Sequence, residues 1–439
     1  MGLFFGTDGL RGIVNEDLTH EIAYKCGNAL SVLKEKPVVV IGRDTRVTGE
    51  YLTLAVALGA MSGGAKVIDI GLCPTAGIAY LTKKLGADYG VVISASHNPK
   101  EYNGIKIFDK NGYKLGDKEE ERVERCFIRN KINEYDGVGS YEQRPNAVRL
   151  YEDFLTGVKG VSLAGLSVVL DGANGAASRI APEVFRKLGA SVVATNCRAD
   201  GLLINDNCGA LHPETLVSRM KRYNADVGFA FDGDSDRLIA VTADGRIVDG
   251  DAIIYILACY LKKHGELKGD TAVGTSHTNM AIEHALAGKG ISFIRTDIGD
   301  KYVLQKLIEK DLSVGGEQSG HIILKNYHTT GDGILTAIFL ASVLAEEKTT
   351  LEALADVTPY PQVNLNIVVE DKLKIINREE LSEEVALLKN KLGHGGRIMV
   401  RASGTEPKIR IMVESKNEET NREYAELLEK IVRKADGER

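Results

Sequence analysis

Val91-Val-Ile-Ser-Ala-Ser-His-Asn-Pro99 is an apolar run that stops in small hydroxylated residues, a histidine and an Asn-Pro turn signal. A buried strand that ends this way sets its serines on a loop at the strand end. Taken alone, the segment also reads as a turn whose hydroxyls satisfy nearby backbone N–H groups, and nothing in it separates Ser94 from Ser96. The glycines of a Gly-x-Ser-x-Gly elbow are absent, so the group that activates a serine here comes from elsewhere in the chain.

The same pattern, a buried strand running into a polar Gly-rich loop, recurs in both directions. Upstream, 37–41 opens into Gly42-Arg-Asp-Thr-Arg46 before a helix from about residue 48, with a further strand at 66–70 and a helix near 75–85. Earlier still, Phe5-Gly-Thr-Asp-Gly-Leu-Arg-Gly12 reads as a loop whose glycines let the backbone approach an anion, with Arg11 as a fork for phosphate. Downstream, 102–108 reads as a turn and strand that put Lys106 near the serine loop, and 118–131 as a charged, solvated helix. The pattern restarts near 150, where 166–170 ends in Asp171-Gly-Ala-Asn-Gly175 and 227–231 ends in Asp232-Gly-Asp-Ser-Asp-Arg237. It restarts again near 251, where 271–273 ends in Gly274-Thr-Ser-His277 and 312–314 ends in Gly315-Gly-Glu-Gln-Ser-Gly-His321.

This rhythm predicts an α/β protein: three similar domains with mixed, mostly parallel sheets, at 1–150, 151–250 and 251–365. From 366 to 439 the order strand, helix, strand, loop, strand, helix predicts a smaller α+β domain. Its loop is Arg401-Ala-Ser-Gly-Thr-Glu-Pro-Lys-Ile-Arg410.

A chain of 439 residues has room for three or four such domains. With a net charge of −6 it offers no basic surface for nucleic acid. The six cysteines form no Cys-x-x-Cys pair, which suits reduced thiols rather than a zinc site or a disulfide framework. No signal peptide is recognisable, and Gly6 stands where a myristoylation signal needs Ser or Thr. The apolar runs at 252–261 and 335–345 fall short of the roughly 20 residues of a membrane span. A cytoplasmic protein with a small-molecule partner, and neither membrane nor nucleic acid, is the expectation.

Asp232, Asp234 and Asp236 are the most informative set. In an extended segment alternate side chains point the same way, so three carboxylates converge and call for a neutralising cation. Oxygen ligands suit Mg²⁺ or Ca²⁺, but an EF-hand fails at Arg237 and Ala243, where its glycine and last ligand belong. A solvated acidic turn is the alternative. In 401–410, Ser403, Gly404 and Thr405 offer hydroxyls and successive N–H groups while Arg401, Lys408 and Arg410 supply charge, a phosphate cradle or else a salt-bridged turn. Glu317 and Ser319 suit sugar hydroxyls, and His321 is an acid/base group or a structural histidine. A hydroxyl, a metal trio, a phosphate cradle, a hydroxyl reader and a basic entry loop together describe phosphoryl transfer to or from a phosphorylated polyol.

In these stretches, together with Gly42-Arg-Asp-Thr-Arg46 and Gly316-Glu-Gln-Ser-Gly-His321, the chain resembles the α-D-phosphohexomutases, most closely their bacterial glucosamine branch. Gln318, Asn205-Asp-Asn-Cys-Gly209 and His212-Pro-Glu214 are similar to that branch, while Ser235, Lys301 and Thr275-Ser-His-Thr-Asn279 depart from it. The resemblance implies four domains around a central cleft and Ser96, not Ser94, as the phosphoryl carrier. It implies one Mg²⁺ per chain on the Ser96 phosphate, Asp232, Asp234 and Asp236, with Glu317 and Ser319 on sugar hydroxyls. The distal phosphate would rest on Arg401, Ser403, Gly404, Thr405 and Arg410, and Arg11, Lys106 and His321 would be acid/base groups with Arg237 beside the metal.

The implied reaction interconverts glucosamine 6-phosphate and glucosamine 1-phosphate for the UDP-N-acetylglucosamine pathway. Ser96 would be primed by a hexose 1,6-bisphosphate or a kinase, in a protein expected to be a homodimer. A mannose or glucose phosphate mutase, and a non-catalytic sugar-phosphate sensor, are the alternatives.

Overall fold

The computed structural model describes residues 9–128, 132–133, 135–403 and 406–437. The first sheet contains β1 (Leu10–Ile13), β2 (Val38–Arg43), β3 (Lys66–Leu72), β4 (Tyr89–Ile93), β5 (Tyr102–Asp109) and β6 (Ser140–Gln143), in the order β1-β5-β4-β2-β3-β6. The second contains β7 (Ser167–Asp171), β8 (Ser191–Thr195), β9 (Val227–Phe231), β10 (Leu238–Thr242) and β11 (Ile247–Val248), in the order β11-β10-β9-β7-β8. The third contains β12 (Thr271–Thr275), β13 (Ser292–Thr296), β14 (Val314–Gly316) and β15 (Ile322–Leu324), in the order β13-β12-β14-β15.

All three share one four-stranded core. In each, an antiparallel strand (β5, β10, β15) pairs with a strand (β4, β9, β14) that is parallel to the next (β2, β7, β12), itself parallel to the last (β3, β8, β13). Strands at the centre of such a core are covered on both faces, so they read as unbroken apolar runs: every residue of β4 (Tyr-Gly-Val-Val-Ile) and of β9 (Val-Gly-Phe-Ala-Phe) is buried. The helix Gly333–Glu347 is apolar almost all round and buried from Gly333 to Leu344, with the Asp332 carboxylate accepting from Leu335 N at 2.9 Å as its N-cap.

The described residues form two compact units, one holding these three sheets up to Thr278 and over Lys289–Asp356, the other Asn279–Gly288 with residues from Val357 onward. In the second unit β16 (Gln362–Val368), β17 (Gly396–Ala402) and β18 (Lys408–Ser415) form an antiparallel sheet in the order β16-β18-β17. Ile398, Ile409, Ile411 and Val413 from its strands pack with Leu388 and Leu428 from the helices Glu379–Leu392 and Glu418–Asp436. Within this unit the buried Glu414 carboxylate accepts from Met280 N at 2.7 Å, tying in the helix Met280–Gly288.

Two local expectations are corrected. Arg11 lies in β1 opposite Gly104 rather than in a loop, and Phe5, Gly6, Thr7 and Asp8 fall outside the described residues. Asn103-Gly104 is strand and not turn, because β1 pairs along it and the Asn103 amide bonds Thr48 Oγ1. The charged helix is present as expected, over Asp117–Ile128, and 129–131 lie outside the described residues. All six cysteines are free thiols.

Candidate active site

The repeated core gives the site its plan. The loops joining β4 to β5, β9 to β10 and β14 to β15 are equivalent, and they carry Ser96, then Asp232 with Asp234 and Asp236, then Glu317 with Ser319 and His321. Each follows the C-terminal end of a buried parallel strand, where an open α/β sheet presents its ligand-binding loops.

Ser96 is buried with a left-handed backbone, φ +52°, and its hydroxyl donates to Asp232 Oδ2 at 2.6 Å. The three aspartates converge as expected, with one oxygen of each within 4.8 Å of the others, but they do so on a tight turn and not an extended segment. Ser235, at φ +62°, reverses the chain between Asp234 and Asp236. Gly233 brings this turn against the serine loop: a Cβ there would stand 2.6 Å from the Ser96 carbonyl oxygen.

Lys106, reaching from the middle of β5, donates to Asp234 Oδ2 at 2.9 Å and Asp236 Oδ2 at 3.2 Å. His321 Nδ1 lies 3.7 Å from Asp236 Oδ2 and its Nε2 3.4 Å from Asp300 Oδ2, which also takes Lys114 at 2.5 Å. Arg237 donates its backbone N–H to Asp232 Oδ1 at 3.2 Å, and Arg11 Nη1 donates to Asn98 Oδ1 at 2.8 Å.

The charges divide unequally among these groups. Burial, reinforced by Asp236 and Asp234, pushes Asp232 well above the usual carboxylate range. Burial works against Asp236 too, yet Lys106, His321 and Arg237 carry it well below that range. Burial lowers His321, but Asp236 and Asp300 outweigh it and raise the imidazole. His97 is pushed down to about 4 by burial, with Arg237 and Arg11 adding to it.

These residues fit a hard divalent cation. Asp234 Oδ1 and Asp236 Oδ1 are buried without a hydrogen-bond partner, although their other oxygens are bonded. Orphaned acceptors of this kind are costly unless an ion or water takes them up.

In the third loop the Glu317 carboxylate accepts from Gly299 N at 3.0 Å, Ser319 is exposed, and Gln318 Nε2 donates to Asp249 Oδ2 at 3.1 Å. In the C-terminal unit Arg401 and Arg410 stand directly opposite each other on β17 and β18. Arg410 Nη2 lies 3.0 Å from Glu406 Oε2, and Ser403 is buried. Gly404 and Thr405 lie outside the described residues. Two facing arginines repel, an arrangement suited to an anion between them.

Sequence reasoning missed four supports. Thr75 Oγ1 donates to Asp234 Oδ2 at 2.6 Å, Asn205 Nδ2 to the Ser96 carbonyl at 2.9 Å, and Lys372 Nζ to the Ser403 carbonyl at 2.6 Å. The fourth is the Asp44–Arg46 pair beneath the serine loop. Two of them left a signal: Asp44–Arg46 as a charged motif directly after a buried strand, and Asn205 as the first residue of Asn205-Asp-Asn-Cys-Gly209.

Four family models match in succession: Phosphoglucomutase/phosphomannomutase alpha/beta/alpha domains I, II and III over residues 2–134, 150–245 and 249–360, and the C-terminal domain over 365–431. That succession defines the phosphohexomutase class. The phosphoglucosamine mutases of Alkaliphilus oremlandii and Clostridioides difficile are 43% and 44% identical to the chain, over 98% of it and 99% of their own length. That of Carboxydothermus hydrogenoformans is 45% identical over 99% of the chain and 100% of its own length. The chain belongs to the phosphoglucosamine mutase family. Among solved structures, a phosphoglucomutase/phosphomannomutase family protein from Burkholderia thailandensis matches with TM-score 0.84 at 25% identity, over 98% of this chain and 97% of that one. Aspergillus fumigatus N-acetylphosphoglucosamine mutase, in complex with GlcNAc-6P and magnesium, shares the fold with TM-score 0.69 at 18% identity, over 99% and 96% of the two chains. Among the described residues no helix is long and apolar enough to cross a membrane.

Proposed function

We propose that this chain is an isomerase that interconverts glucosamine 6-phosphate and glucosamine 1-phosphate through a phosphoserine at Ser96 and a 1,6-bisphosphate intermediate. The observation that carries the reading is the 2.6 Å bond from Ser96 Oγ to Asp232, inside a buried trio of aspartates. In the forward direction the bond between phosphorus and Ser96 Oγ breaks as a bond to the sugar 1-oxygen forms, and the 1-hydroxyl proton passes to an acid/base group. The bisphosphate turns over, its 6-phosphoryl group returns to Ser96, and the 6-oxygen takes a proton back.

Asp232, Asp234 and Asp236, with the Ser96 phosphate, would hold one Mg²⁺, which when bound neutralises charge on the transferring group. Arg237 is a positive charge beside the metal, and Lys106, His321 and Arg11 are the candidates for moving the proton. Glu317 and Ser319 orient the sugar hydroxyls. Arg401, Ser403, Gly404, Thr405 and Arg410 take the phosphate that is not reacting, so the same cradle serves either end of the sugar. Most of the rate then comes from positioning and electrostatics.

On this reading 1–150 is the phosphoserine domain, 151–250 the metal-binding domain, 251–365 the sugar-binding domain and 366–439 the phosphate-binding domain. The protein acts in the cytoplasm as a homodimer and is primed by a hexose 1,6-bisphosphate or a kinase. The test is peptide mass analysis for phosphate on Ser96, with turnover of glucosamine, mannose and glucose phosphates by the native chain and by Ser96→Ala. Phosphate on Ser96, preference for glucosamine phosphate and loss of turnover in Ser96→Ala are expected. Undiminished turnover in Ser96→Ala overturns the mechanism, and preference for a mannose phosphate overturns the substrate.

A further inference from the structure

Two serines, Ser94 and Ser96, stand one residue apart at the strand end, and only one can face the aspartates. We propose that the buried Asp44–Arg46 pair makes this choice, with Arg46 a positioning residue that fixes the loop for Ser96 and Asp44 the group that takes Ser94 out of use. The proposal rests on the phosphoserine reading above and deepens it.

Arg46 has five N–H donors, and each has its own acceptor. Nε donates to Asp44 Oδ2 at 3.0 Å, Nη1 to the Pro99 and Tyr102 carbonyls at 2.5 and 2.7 Å, and Nη2 to the Ser96 and Asn98 carbonyls at 3.0 and 2.7 Å. The side chains of Arg46 and Asp44 are fully buried. A planar fork that is completely filled holds four carbonyls in one geometry, which a lysine with three donors on one nitrogen does not reproduce.

Asp44 Oδ2 also accepts from Ser94 Oγ at 2.5 Å, and Ser94 Oγ in turn accepts from Ser96 N at 2.9 Å. The Ser94 hydroxyl is thus committed as donor and as acceptor, and the residue is wholly buried. Ser96, by contrast, is held at φ +52°, a conformation that costs an L-residue energy unless its surroundings impose it. This backbone turns its hydroxyl toward Asp232. From the rim, Asn205 Nδ2 adds bonds to the Ser96 and Asn98 carbonyls at 2.9 and 3.2 Å.

The experiment loads full-length protein with glucose 1,6-bisphosphate and Mg²⁺. It follows phosphate on Ser94 and Ser96 separately by peptide mass analysis and measures kcat and KM in the same preparations. Loading forms the bond from Ser96 Oγ to phosphorus as one sugar-oxygen bond to phosphorus breaks, and the serine proton ends on the released sugar oxygen. Arg46→Lys is expected to slow loading of Ser96 and lower kcat by about 100-fold, with KM changed by less than about threefold. Asn205→Gly keeps a residue tolerant of the left-handed backbone found there, φ +56°, removes the rim donor and is expected to slow loading about fivefold.

A folded Arg46→Lys that loads Ser96 at the native rate overturns the proposal, as does phosphate on Ser94 of the native chain. If Arg46→Lys does not fold, Asp44→Asn, which removes the carboxylate shared by Arg46 and the Ser94 hydroxyl, decides, and native-rate loading of Ser96 in it with no phosphate on Ser94 overturns the proposal. A native chain that takes phosphate on neither serine overturns the phosphoserine reading itself. Native loading at Ser96 with unaffected variants overturns the selection device alone.

Discussion

Lys106 Nζ and Asp234 Oδ2 lie 2.9 Å apart, with both side chains buried. The ammonium stands where three carboxylates within 4.8 Å of one another would otherwise repel, by about 3 kcal/mol per pair at an effective dielectric near 20. Lys106→Met removes that charge and keeps most of the side-chain volume. Without metal it is expected to lose about 3–5 kcal/mol of stability. Mg²⁺ then restores more to the variant than it adds to the native chain, because without the ammonium competing for Asp234 and Asp236 the carboxylates hold the cation more tightly, and tighter binding to the folded state stabilises it more. Urea unfolding of both proteins in EDTA and in Mg²⁺ measures this, and equal Mg²⁺ increments would refute it.

Gly233→Ala places a Cβ 2.6 Å from the Ser96 carbonyl oxygen and 2.9 Å from Asn205 Nδ2. The serine and aspartate loops must then part, at a cost of about 1–3 kcal/mol. Turnover is expected to fall by at least about tenfold, since the separation between Ser96 and Asp232 is what such a shift changes. Native turnover with unaltered thermal stability would show that the two loops do not need this contact.

Asp332 caps its helix while buried against the Tyr151 hydroxyl, 2.8 Å away, and burial raises its carboxyl from 3.8 to about 6. A folded-state value above the unfolded one gives stability that is present at low pH and lost as pH rises through about 6. Asp332→Asn keeps the cap acceptor and has no such titration. Relative to the native chain, the variant is therefore expected to gain about 2 kcal/mol on going from pH 4.5 to pH 8. Urea unfolding of the pair across that range checks the sign, and a variant that gains nothing on the native chain, or loses ground to it, toward pH 8 refutes it.

Arg401 faces Arg410 across the C-terminal sheet, and burial, then Arg410, lowers its guanidinium below the ordinary value. Arg401→Ala relieves this repulsion, so the fold is expected to be as stable as before or slightly more so. A lost charge-assisted bond to phosphate raises KM for glucosamine 6-phosphate by roughly 10- to 100-fold. Steady-state kinetics beside thermal unfolding separate the two effects, and an unchanged KM removes Arg401 from the cradle.

The fold was legible because central parallel strands such as β4 and β9 are buried on both faces and leave unbroken apolar runs, each ended by glycine and polar residues. The aspartate trio was legible as chemistry but not as geometry: alternation along a strand was the expected cause of convergence, whereas a turn with Ser235 at φ +62° produces it. Arg11 looked like part of a loop because glycines surround it, and strand pairing with Gly104 overrode that local signal. Thr75 and the role of Asn205 were invisible because each meets its partner from more than 100 residues away, although Asn205 itself opens the quoted stretch Asn205-Asp-Asn-Cys-Gly209. The role of Arg46 was hidden for another reason, since four of its five partners are backbone carbonyls, which any sequence possesses.

That one hairpin connection bears a different instrument in each of three sheets amounts to a division of labour among copies. Each sheet closes its own core, so the connection is spared from holding the fold and is open to change of trade. On the proposed reading, in which Glu317 and Ser319 meet the sugar, retuning the choice of sugar calls for changes at 317–319 of the third hairpin, while His321, 3.7 Å from Asp236, stays with the phosphate chemistry of the other two. A graft of those three residues from a relative with another sugar preference puts that division of labour to the test.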